Sequence, residues 1–126
     1  MENLKVENVE EIKIELSSFY IMGIKEFTLN SSSNIKYLRY KDEAKEILVQ
    51  EREYEIEKYY FNILADLFLG LYTKEYEDDP NMNLGETQVE TTLKFKNGEE
   101  IKYYGNLSTT GVWRQISDII NVLEKE

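Results

Sequence analysis

The stretch from Glu53 to Tyr72 constrains the fold more than any other part of the chain. Ile56, Tyr60, Ile63, Leu64, Leu67, Phe68 and Leu71 recur at intervals of three and four residues, which gathers them into one wide apolar stripe on a helix. A stripe of that width has to be covered. The segments before and after it alternate apolar and polar residues, as half-buried strands do. The helix is expected to begin among Glu51, Glu53, Glu55 and Glu57, whose carboxylates suit the positive end of the helix dipole. It should end near Tyr72, with Gly70 just inside the last turn and loop chemistry following in residues 75–86, which hold the only proline.

Ahead of the helix, Ile12, Ile14 and Leu16 alternate with Lys13 and Glu15, and Gly23 marks a bend or bulge. Phe27 and Leu29 share one strand face. Asn30 to Asn34 is a turn by composition, and Ile35 and Tyr37 then face away from Leu38 and Tyr40. Ile47 to Val49 read either as a short strand or as a lead into the helix. Behind the helix, Val89, Thr91, Leu93 and Phe95 share a face, and Asn97-Gly98 signals a hairpin. A two-residue turn would oppose Leu93 to Lys102, mixing apolar with charged side chains. A three-residue loop with left-handed Gly98 pairs Phe95 with Glu99, Leu93 with Ile101 and Thr91 with Tyr103, so the bulged turn is predicted. Thr110 is the expected N-cap of a second helix, with Val112, Ile116, Ile119, Ile120 and Leu123 as its stripe and Trp113 at the stripe's edge. The expectation is one α+β domain over residues 1–126, with an antiparallel sheet of about five strands packed on one face by two helices in the order β-β-β-α-β-β-α.

Composition narrows function by exclusion. The chain has no cysteine and no histidine, which removes thiolate chemistry, the commonest metal ligands and the usual general base. Neither a catalytic residue set nor a cofactor is expected. The formal charge is −10, with only three arginines, Arg39, Arg52 and Arg114, so direct nucleic-acid binding is disfavoured. Residues 1–15 carry five glutamates and no apolar run, unlike a signal peptide, and no stretch approaches the ~20 apolar residues of a membrane span. A cytoplasmic location is the expectation.

Three stretches hold candidate site residues. The first is the acidic loop, where Glu75, Tyr76, Glu77, Asp78 and Asp79 offer a docking point for a basic partner, with Trp113 as an open aromatic contact or an anchor against a sheet rim. The second overlaps that loop and runs on to Glu90, placing oxygen ligands at Asp79, Asn81, Asn83 and Glu90 with calcium-loop spacing. Leu84 stands where that loop needs glycine, however, and a strand follows where a helix should. The third is the turn before the second helix, where Thr110 and Arg114 with Tyr103 and Trp113 would meet an anionic small ligand. No phosphate-loop lysine follows Gly111, and a turn plus N-cap accounts for the same residues. The leading expectation is a non-enzymatic acidic protein that inhibits or neutralises a basic protein partner, in the manner of immunity or inhibitor proteins or a nucleic-acid mimic. The alternative is a small-ligand or nucleotide sensing or sequestering domain, with a homodimer open to either.

Overall fold

The computed structural model describes residues 4–18, 23–42, 44–76, 87–106 and 111–125. Within them a short 3₁₀ turn, Val6–Asn8, leads into β1 (Val9–Ser18), β2 (Gly23–Asn30), β3 (Asn34–Tyr40) and β4 (Leu48–Glu55). Helix α1 (Lys58–Tyr72), β5 (Gln88–Phe95), β6 (Glu100–Asn106) and α2 (Gly111–Lys125) complete the order. The six strands form one antiparallel sheet in the order β4-β3-β2-β1-β5-β6. The class is α+β, with one strand more than expected.

Cross-strand register explains why one face is buried. Ile101, Leu93, Ile12, Leu29, Ile35 and Tyr54 line up directly across all six strands, and Tyr103, Thr91, Ile14, Phe27, Tyr37 and Arg52 form the next row on the same face. Most of these side chains join Phe61, Leu64, Ala65 and Phe68 of α1 and Trp113, Ile116, Ile120 and Leu123 of α2 in one core cluster. Both helices therefore cover the same face. The other face, the open face, carries Lys13, Glu15, Glu26, Lys36, Glu51, Glu90 and Lys102 and has no helix over it among the described residues.

The hairpin follows the predicted register, with Leu93 opposite Ile101 and Thr91 opposite Tyr103. The Phe95 N–H donates to Glu99 O at 2.8 Å, and Gly98 takes a φ of +91°. A Cβ added to Gly98 meets nothing within 4 Å, so its cost is purely conformational. Gly98→Val is expected to lose roughly 1–2 kcal/mol of stability, read as a shift in the urea midpoint. An unmoved midpoint would remove the bulged turn as the register's cause.

Two expectations need correction. Residues 51–57 do not begin the helix: Glu51, Glu53 and Glu55 belong to β4, and α1 starts at Lys58 after Glu57. Arg52 and Tyr54 decide this. Between the three glutamates they alternate onto the core face, where Arg52 donates to the Glu124 carbonyl at 3.2 Å and the Tyr54 hydroxyl donates to the Leu123 carbonyl. Arg52 lies 5.0 Å from the centre of the Tyr54 ring. A guanidinium on the last carbonyls of α2 meets the negative end of its dipole, which favours the strand that delivers it. The stripe of α1 is also rotated. Phe61 is buried and Ile63 is 40% exposed, the reverse of the expected pattern.

Candidate functional site

Of the residues expected to meet a partner or metal, Glu77, Asp78, Asp79, Asn81, Asn83 and Thr110 lie outside the described residues. Glu75 is exposed just beyond α1. Tyr76 turns back onto the helix. Its N–H donates to Gly70 O at 3.0 Å, its hydroxyl donates to Asp66 Oδ2 at 2.8 Å, and its ring covers Gly70 so closely that a Cβ there would stand 2.1 Å away. The bond to Asp66 holds the phenol's pKa above its ordinary value, because only the protonated hydroxyl donates.

Trp113 is 1% exposed, and its indole stacks with Tyr103 at 6.1 Å and meets Phe68 edge-on at 6.3 Å. It lies at the edge of the α2 stripe beside Ile116, Ile120 and Leu123, and anchors the helix against β6 at the rim of the sheet, as the sequence reading of a rim anchor has it. That burial withdraws Trp113 from any surface a partner touches and withdraws the Tyr103–Trp113 pair from the expected ligand site. Arg114, one residue on, points outward and exposed. Glu90 lies on the open face of β5 with Lys102 3.9 Å away. Among the described residues no three His, Cys, Asp or Glu side chains are grouped to hold a metal ion.

The open face holds an arrangement the sequence did not disclose. Glu90, Glu15 and Glu26 stand directly opposite one another on β5, β1 and β2. Like charges in such a row repel. Lys102 answers Glu90, and two further lysines answer the other two: Lys13 lies 3.6 Å from both Glu15 and Glu26, and Lys45 donates to Glu15 and, at 3.0 Å, to Glu26. Lys45 comes from the β3–β4 connection with a left-handed φ of +60°. Asp42 holds that connection in shape, accepting from the Glu46 and Ile47 backbone N–H groups at 2.9–3.1 Å. Those backbone bonds, the Ile47 one foremost, keep the Asp42 carboxyl below its usual pKa. Beside the cluster, Glu15, Ser17, Gln88, Glu90 and Tyr104 border an open depression of about 470 Å³.

Burial pulls the Lys45 ammonium's pKa down, but its hydrogen bonds and attraction to Glu15 and Glu26 more than reverse this and hold it above the ordinary 10.5. A pKa raised on folding means that the folded chain binds the proton more tightly. The contribution is therefore complete below pH 10.5 and lost as pH climbs through the folded value. Lys45→Met should lower stability at pH 7 by about 1–2 kcal/mol, between the values for exposed and buried pairs, and flatten the alkaline limb of the stability profile. Urea melts of both proteins at neutral and alkaline pH provide the check, and equal midpoints at pH 7 would count against the Lys45 bridge to Glu15 and Glu26 as a source of stability.

A second feature of the same face is β4 itself. Its inward residues Arg52 and Tyr54 are committed to α2, leaving Glu51, Glu53 and Glu55 in a row on the open face opposite Leu38, Lys36 and Asn34. Lys36 serves Glu51 at 3.6 Å and Glu53 at 3.9 Å, one cation for two carboxylates. Just before them Ile47, Leu48 and Val49 are 51%, 46% and 55% exposed. Three consecutive exposed aliphatic residues beside a run of carboxylates make an amphipathic strip along the outermost strand.

A scan against protein-family models finds no match, and a search of curated proteins returns no significant relative.

Proposed function

We propose that this chain is a non-enzymatic acidic binding protein that occupies and neutralises a basic protein partner. The observation that carries this reading is the strip at β4, where exposed Ile47, just ahead of the strand, and Leu48 and Val49 within it run toward the exposed carboxylates of Glu51, Glu53 and Glu55. Apolar contact supplies affinity there and negative charge supplies selection and fast encounter. The formal charge of −10 extends the same preference over the whole molecule. Pairing with β3 along β4 fixes the geometry in which the strip is presented.

The test is capture from the native cell lysate on immobilised protein, eluted in rising salt, beside a variant carrying Glu51→Gln, Glu53→Gln and Glu55→Gln. The expected result is a basic protein held at near one-to-one stoichiometry, released by salt and bound at least roughly tenfold more weakly by the variant. Retention that ignores both salt and the three substitutions would overturn the reading.

A further inference from the structure

We propose that β4 takes its partner by strand addition, receiving an extended segment with Lys or Arg at every second position as a seventh strand beside the six. This rests on the reading of the chain as a binder of basic proteins and specifies how the contact is made. The backbone sets the geometry. The Ile56 N–H donates to Ser33 O at 2.8 Å, and bonded pairs alternate along an antiparallel ladder, so in the observed register Tyr54, Arg52 and Gln50 bond inward to β3. Glu51, Glu53 and Glu55 therefore turn their N–H and C=O groups outward, where the described residues offer no further strand. The residues with free backbone edges are the same ones that carry the open-face carboxylates. A strand docking there places its own side chains directly opposite these glutamates, about 5.5 Å away between Cα atoms.

Charge selects the occupant. A second copy joined through β4 in one continuous antiparallel sheet must match residues of like face. Centring the pairing on Arg52 opposes Glu51 to Glu53 twice, and centring it on Glu51 or Glu53 opposes that residue to itself. Carboxylates on a sheet edge are a known defence against such pairing, and that defence alone would explain Glu51, Glu53 and Glu55. It gives no reason for three exposed aliphatics to precede them. The opposite edge differs. There the Phe95 N–H bond to Glu99 O fixes Glu100, Lys102 and Tyr104 as the outward residues of β6, a mixed set with a lysine in the middle. Of the two edges of the described sheet, only β4 offers a uniform row of negative charge along an open backbone edge.

The experiment uses the whole protein and three synthetic peptides at millimolar concentration, followed by backbone amide shifts and hydrogen exchange. One peptide alternates lysine with threonine and ends in valines, the second has the same composition with its lysines contiguous, and the third is the first with N-methyl groups on the amides that would face β4. The expected result is binding of the alternating peptide, roughly tenfold or greater loss on N-methylation, and new exchange protection at Glu51, Glu53 and Glu55. Equal binding of all three without protection would leave charge recognition standing and overturn strand addition. Binding of none would overturn both readings at this surface. Protection of β4 that rises with protein concentration and no peptide would also overturn the proposal, by showing a second copy as the occupant.

Discussion

Trp113→Ala is expected to cost about 3–5 kcal/mol, a large share of the ~5–15 kcal/mol that holds a domain of this kind together. The indole is 1% exposed and touches Tyr103 and Phe68, so alanine leaves a cavity at the junction of sheet, α1 and α2. Three elements meet there, and none can close the gap without moving the other two. The expected result is a melting temperature lower by more than about 10 °C, with Trp113→Phe falling between the two because it keeps an aromatic edge against Phe68. Trp113 is also the chain's only tryptophan, so the wild-type melt can be followed by its emission. An alanine variant that melts with the wild type would show that the ring is dispensable to the core.

The next largest effect is expected from the other side of the same contact. A Cβ on Gly105 would stand 2.2 Å from Trp113 Cζ2 and 2.6 Å from Cη2, distances no packed carbon pair tolerates. Gly105→Ala should lose about 1–3 kcal/mol, as overpacked cores do, by lifting the indole and with it the start of α2. Pairing it with Trp113→Phe gives a sharper result: the smaller ring makes room, so the double variant should lose less than the sum of the two single losses. Strict additivity in chemical melts would separate the two residues and refute the contact as the cause.

Much of the fold was legible in the sequence because it rests on period and turn chemistry. Ile12, Ile14 and Leu16, the alternation from Val89 to Phe95 and the Asn97-Gly98 turn each fix a strand or a register locally, and the structure reproduces them. Residues 51–55 misled because glutamate at every second position satisfies both an acidic helix start and a strand with one wet face. Only the distant α2 carbonyls met by Arg52 and Tyr54 separate the two. The Lys45 bridge was illegible for the same reason, since its partners Glu15 and Glu26 lie on strands whose adjacency is tertiary. Trp113 was recognisable as an anchor. The surface it rests on, Gly105 of the edge strand β6, is a tertiary contact that no local pattern specifies.

The strand order divides the sheet into two kinds of contact. From β1 to β4 every neighbour in space is a neighbour in sequence, and β5 and β6 form a hairpin of their own; the two blocks join only where β5 lies against β1. Ile12 and Leu93 meet across that seam from about eighty positions apart, so it carries the largest loop-closure entropy in the sheet. Each block has most of its core residues on one side and no second layer until the seam closes and both helices settle over it. The rate at which this chain becomes native is thus expected to be set by β1 finding β5, with the meander and the hairpin forming and dissolving on either side of that search.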